Sequence, residues 1–150
     1  MANLAELVTY EKEYPVEIVN HVTRDPLGIT INVVSKDSKR VTNALRDWQA
    51  DKWDADAKAN KTEDSAKDRL NYVEAHGVET LVACISSWDW GDNEFDHIKG
   101  AGVASEEDKR YLISHPNAGW LIVQLAEAVH KIENFMQPLP KNARTGSKKT

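Results

Sequence analysis

Cysteine is nearly missing: Cys84 is alone among 150 residues, which excludes an internal disulfide framework and fits a reducing compartment. Long apolar runs are missing too, and no window approaches the roughly 20 consecutive apolar residues of a membrane-spanning helix. The N-terminal MANLAELVTYEKEY lacks the basic flank and apolar stretch of a signal peptide, so the chain is expected to remain in the compartment where it is made. There is no Gly-rich phosphate loop, no G-x-S-x-G elbow and no Ser, His and Asp set in a recognisable context. Positive charge is not in excess: 19 Lys and Arg against 24 Asp and Glu leave a net charge of −5, which argues against a nucleic-acid partner.

What is present describes one globular core. Hydrophobic residues make up 41% and charged residues 29%, neither a disordered nor a membrane composition. Residues 1–136 are expected to form a single domain. From Gln137 onward, QPLPKNARTGSKKT carries Lys141, Arg144, Lys148 and Lys149 with no acid. It reads as a flexible basic tail on a body more acidic than the total suggests.

Periodicity indicates an α+β fold, mainly α-helical, with a small N-terminal β-hairpin or sheet packed on four or five helices. After a short helix expected over 3–9, Val16, Ile18 and Val22 alternate with polar residues, as do Ile29, Ile31 and Val33. Asp25-Pro26 and Gly28 punctuate the two runs, a hairpin signal. The period then becomes helical. Ser35 or Asp37 is placed to cap a helix bearing Val41, Ala44, Leu45 and Trp48 on one side and reaching about Lys58. Thr62, followed by Glu63 and Asp64, starts the next. Ala66, Leu70, Val73, Leu81, Cys84, Ile85 and Trp88 recur at helical spacings, with Gly77 as a kink or weak point. Ser105 with Asp108 resembles a capping box, and His115-Pro116-Asn117 separates that helix from a last one running through Leu121, Leu125, Val129 and Met136, stopped by Pro138 and Pro140.

The stretch 86–97, SSWDWGDNEFDH, concentrates Asp89, Asp92, Glu94, Asp96 and His97 with two tryptophans in twelve positions. An EF-hand loop begun at Asp89 fails at most ligands: its third, fifth, sixth and twelfth positions are Gly91, Asn93, Glu94 and Gly100. No two of the five histidines lie within five residues of each other, unlike the spacing of a transition-metal site. Paired carboxylates for acid/base work remain open, because acids far apart in sequence can meet in space. The alternative is a turn shaped by Asp89 and Asp92 through side-chain to backbone bonds, with Trp88 plugging the core beneath it. Cys84, inside LVACI, reads as a buried thiol rather than a nucleophile. Of five tryptophans, Trp48, Trp88 and Trp120 fall on or beside apolar stripes and are assigned to the core. Trp53 and Trp90 lie off them and are candidate partner contacts.

The order of these pieces resembles a family. A β-rich start with PLGITINVVSKDSKRVTNALRDW precedes a charged linker helix and an apolar helix ending in SSWD. Glu94-Phe95, the Ser-capped SEEDKRYL, Pro116 and a final helix closing in Asn134-Phe135 follow. The set is similar to the tail assembly chaperones of long-tailed, non-contractile bacteriophages and prophages, over about Asp25 to Phe135. The chain departs from that pattern in Trp90-Gly91-Asp92-Asn93 and in its first two dozen residues. The resemblance marks Trp88, Asp89, Phe95, Ser105, Pro116, Asn134 and Phe135 as family-motif structural positions, with Trp88 packed and Asp89 capping a turn between two core helices.

The resemblance also implies a non-enzymatic role in the host bacterial cytoplasm, with no cofactor, metal, nucleic acid or membrane. Such proteins coat the tape measure protein, keep it soluble, promote polymerisation of tail tube protein around it, and are absent from the mature virion. A frameshifted longer form is a further expected partner, since adjacent lysine codons at Lys148-Lys149 can form a slippery run of adenines. The alternatives are a structural subunit of the tail or head-tail connector, and an enzyme using paired acids.

Overall fold

The computed structural model describes residues 4–58 and 66–136. The hairpin expected near the N-terminus is present: β1 (Tyr14–Val19) pairs antiparallel with β2 (Pro26–Val33), placing Val16 opposite Ile31 and Ile18 opposite Ile29. The connecting loop is closed by Asn20, whose Oδ1 accepts from the backbone N–H groups of Val22 and Thr23. Pro26 heads β2, where its missing N–H is tolerated.

This hairpin is half of a larger sheet. After α1 (Lys39–Lys58) and α2 (Ala66–Cys84) come β3 (Ile85–Phe95) and β4 (Ile98–Val103), giving a four-stranded antiparallel sheet in the order β1-β2-β3-β4. Then α3 (Glu106–Ser114), α4 (Gly119–His130) and a 3-10 turn, Ile132–Phe135, complete the described chain. The class is therefore α+β with four α-helices among the described residues, but its sheet is not purely N-terminal.

The acidic stretch is where the sequence-based expectation fails. SSWDWGDNEF is not a turn between two core helices; it is β3, paired to β2 on one side and β4 on the other. The apolar stripe read as one helix through Trp88 is split between elements: α2 stops at Cys84 and the strand begins at the next residue. The junction is held by convergent donors. Val34 N–H reaches the Cys84 carbonyl at 2.9 Å, and Arg40 Nη2 and Lys109 Nζ donate to the Ile85 carbonyl at 2.8 and 3.1 Å. Two cations at a helix C-terminus also suit its dipole. Lys109 is 3% exposed, and its charge is balanced by Glu106 at 3.1 Å.

Ile31 of β2 stands opposite Trp88 of β3, so the hairpin's apolar side continues across the sheet through Trp88 and Trp90. It meets Leu112 of α3 and Leu121, Leu125 and Val129 of α4 in one core. Between Asp89 and Glu94 the β3–β4 register shifts, and the extra residues form a bulge. Gly91 there has φ +59° and comes so close to β2 that a Cβ would lie 2.6 Å from the Gly28 carbonyl oxygen. Asn93 Nδ2 ties the bulge down by donating to the carbonyls of Leu27, at 2.7 Å, and Trp90, at 3.1 Å.

Other boundaries differ in detail. The α1 cap is Ser38, not Ser35 or Asp37: its buried Oγ accepts from Val41 N–H at 3.3 Å, while Ser35 Oγ accepts from Asp37 N–H in the turn before it. Ser105 caps α3 as expected, accepting from Asp108 N–H at 3.1 Å. The last helix does not run to Met136. It ends at His130, and Lys131 is extended. At the N-terminus one 3-10 turn, Leu4–Glu6, stands where a short helix was expected. The expected helix start at Thr62, the stops at Pro138 and Pro140, and the basic tail 137–150 lie outside the described residues.

Candidate functional site

The seven family-motif positions do not converge on one site. Trp88, 5% exposed, and Phe95 belong to β3, where rings follow one another: Trp88 to Trp90 at 5.7 Å, Trp90 to Phe95 at 6.4 Å, and Phe95 to His115 at 4.9 Å. This row links the sheet to the α3–α4 connection that contains Pro116. Asp89 caps no helix; its Oδ1 accepts from Gly91 N–H at 2.9 Å and shapes the bulge. Asn134 Nδ2 donates to the Ala128 carbonyl at 3.0 Å, which also accepts from Lys131 N–H at 3.4 Å, so both close the end of α4. Phe135 is fully buried and packs edge-on to Tyr14 at 6.3 Å.

The two candidate contact tryptophans part company. Trp90 is 1% exposed and belongs to the core, which corrects its assignment to the surface: in a strand its side chain projects to the same side as Trp88. Trp53 is 62% exposed on α1.

Titratable groups of the former acidic loop meet α3 at the β3–β4 turn. His97 pairs with Asp108 at 2.8 Å and His115 with Asp96 at 3.3 Å. Tyr111 donates its hydroxyl to Asp96, and that hydrogen bond, with smaller contributions from burial and the carboxylate's charge, pushes the phenol above its ordinary pKa. These pairs anchor the turn to the helix. Among the described residues no group of three or more His, Cys, Asp or Glu could hold a metal ion. Burial pushes the Cys84 thiol up to about 12, outweighing the nearby Arg40 charge that favours the thiolate. Cys84 is therefore protonated at neutral pH and a poor nucleophile. Native protein is expected to resist iodoacetamide at pH 8 and to be alkylated only after unfolding; rapid alkylation of folded protein would contradict that burial.

A feature with room for a ligand lies elsewhere among the described residues. Between α2 and α4 a cavity of about 650 Å³ opens to solvent. One wall carries Val73, Gly77 and Leu81, four residues apart on α2; the other carries Ile122, Ala126 and His130, four apart on α4. Residues at that spacing lie above one another on one side of a helix, so each wall is a straight row. Ile113 of α3 contributes further apolar lining, and Lys36, Glu74 and His76 supply charged or protonatable groups. Val73 is 65% exposed, and Leu70, one turn before it on α2, is 66% exposed, which extends apolar surface beyond the groove.

Gly77 is the unusual member of the rows. The helix runs through it unbroken. A Cβ there would meet nothing within 4 Å among the described residues. Neither backbone conformation nor internal packing therefore calls for glycine, although glycine in mid-helix costs roughly 0.5–1 kcal/mol relative to alanine. Sequence reasoning saw Gly77 only as a break in a stripe, because the opposite row sits on a helix more than forty residues away. A second cleft, about 230 Å³, lies between α1 and α2 over the Arg110–Glu79 ion pair.

No family model, curated protein or solved structure matches the chain.

Proposed function

We propose that this protein is a non-enzymatic tail assembly chaperone of a long-tailed phage or prophage, acting in the host bacterial cytoplasm. It binds the tape measure protein, keeps it soluble, promotes tail tube polymerisation around it, and leaves before the virion is complete. The observation that carries this reading is the open apolar groove between α2 and α4, with Val73 and Leu70 exposed beside it. A surface of that kind suits helix-in-groove recognition, in which an amphipathic helix lays its apolar stripe against a groove. The ordered sequence features from Asp25 to Phe135 give the reading its client.

Co-expression with the tape measure protein of the same tail gene cluster tests it. The client is expected in the soluble fraction when the chain is present and in inclusion bodies when it is not. A client that is insoluble in both cases defeats the proposal. Trp53→Ala refines the test: it removes an exposed ring and is expected to shift Tm by no more than a few degrees while reducing client recovery. A large fall in Tm would instead make Trp53 a packing residue.

A further inference from the structure

We propose that His115 is a proton-operated latch on the α3–α4 connection: neutral, it holds the turn that starts α4, and on gaining a second proton it releases that turn while the β3–β4 turn stays docked. The two ring nitrogens carry the argument. Nδ1 accepts a hydrogen bond from the Asn117 N–H at 3.0 Å, and a ring nitrogen accepts only when it bears no proton. The proton of the neutral ring therefore sits on Nε2, which faces the Asp96 carboxylate at 3.3 Å.

A second proton has one place to go. On Nδ1 it would set an N–H against the N–H of Asn117, and that hydrogen bond is lost. At the other nitrogen the effect has the opposite sign, because an imidazolium is attracted to the Asp96 carboxylate. That gain is small: the side chains are 19% and 55% exposed, and an ion pair so solvated contributes little. Asn117 is itself exposed, so its freed N–H turns to water and the release stays local.

The other groups around the ring do not replace the lost bond. From β3 the Phe95 ring stands 4.9 Å away and from α3 the Tyr111 ring 5.5 Å, while the Tyr111 hydroxyl is committed as a donor to Asp96. His97, the second imidazole of the cluster, meets Asp108 through Nε2 at 2.8 Å. That contact requires no bare nitrogen and gains from a positive ring. Acidification therefore tightens the β3–β4 turn on α3 and loosens only the far side of His115.

What the latch holds is the start of α4. Ala118, fully buried, donates to the His115 carbonyl at 3.1 Å, and its own carbonyl accepts from Leu121 at 3.0 Å and Ile122 at 2.9 Å in the first turn of the helix. Ile122 lines the α2–α4 groove. A proton-sensitive link thus stands at the end of one groove wall, in the range of about pH 5–8 where imidazoles change charge. The inference does not depend on the identity of any client.

The test is an NMR titration of the ¹⁵N-labelled full chain between about pH 8 and 5, as wild type, His115→Asn, Asp96→Asn and His97→Gln. Imidazole nitrogen shifts report protonation of His115, and exchange protection of the Asn117 amide, corrected for the intrinsic rate, reports the bond. In the wild type, protection is expected to fall along the His115 titration curve by roughly two- to tenfold, the worth of one hydrogen bond. His115→Asn keeps a side-chain acceptor two residues before the Asn117 N–H but does not titrate, so protection should be flat. Asp96→Asn should move the coupled curve to lower pH, since the charged ring loses its carboxylate, and His97→Gln should leave the coupling intact. Asn117 protection that ignores the His115 titration, a pH-dependent fall that survives His115→Asn, or one abolished by His97→Gln would each overturn the inference. So would a wild-type ring that carries its proton on Nδ1 at pH 8.

Discussion

Trp90→Ala is expected to destabilise the fold by about 3–5 kcal/mol, the range for removing a large aromatic side chain from a packed core. Trp90 is among the largest fully buried side chains of the described residues, 1% exposed, and its ring meets Trp88 edge-on at 5.7 Å and Phe95 at 6.4 Å. Alanine would leave a cavity in the middle of that aromatic row, beneath a bulge that Asn93 ties to the carbonyls of Leu27 and Trp90. Trp90→Phe is expected to cost well under half as much. Most of the ring volume stays, and the indole Nε1, which has no hydrogen-bond partner among the described residues, goes. Urea unfolding of the three proteins checks the order. A Trp90→Ala protein within about 1 kcal/mol of wild type would mean that the ring is a surface contact after all.

Gly91→Ala is expected to have the next largest effect, for two separable reasons. At φ +59° an alanine suffers the left-handed backbone penalty of roughly 1–2 kcal/mol. Its Cβ would also lie 2.6 Å from the Gly28 carbonyl oxygen, a backbone atom that cannot swing aside, so the bulge and β2 must separate. Gly100→Ala isolates the first reason, because Gly100 has φ +80° and nothing within 4 Å of its Cβ position. Gly91→Ala is expected to exceed Gly100→Ala by about 1–3 kcal/mol, the usual cost of overpacking. It should also perturb the near-UV circular dichroism of Trp88 and Trp90. Equal losses from the two substitutions would show that the bulge does not press on β2.

Both effects fall in the stretch that sequence reasoning placed wrongly, and the reason is physical. Ile85 and Trp88 continue the spacing of Leu81 and Cys84 along a helical stripe, and no Gly or Pro separates Cys84 from Ile85. The helix-to-strand change instead depends on contacts remote in sequence, from Arg40, Lys109 and Val34 to the two carbonyls at the junction. A strand signal did exist: Trp88 and Trp90 alternate with Asp89 and Gly91. Its partner strand IKGAGV offers one buried apolar residue, Ile98, and two glycines, so no second period-two run supported it.

Where apolar spacing and local polar chemistry agreed, the reading held. The Val16/Ile18 and Ile29/Ile31/Val33 hairpin joins strands consecutive in sequence, and the Ser105 cap and the break at His115-Pro116-Asn117 depend on contacts within a few residues. The candidate site was the least legible part. Gly77 and Leu81 could be seen on one helix and Ile122 and Ala126 on another, but facing walls are a tertiary fact. The exposure of Trp53 was legible because it lies among charged residues off the apolar stripe of its helix.

The central claim is a transient assembly role, and quantitative mass spectrometry of this chain in phage-producing cells and in purified virions tests it most directly. The account predicts abundant chain in the lysate and none in particles, with peptides reading past Lys149 where the longer form is made. A fixed copy number in every virion would contradict it and make the protein a structural subunit of the tail or its connector.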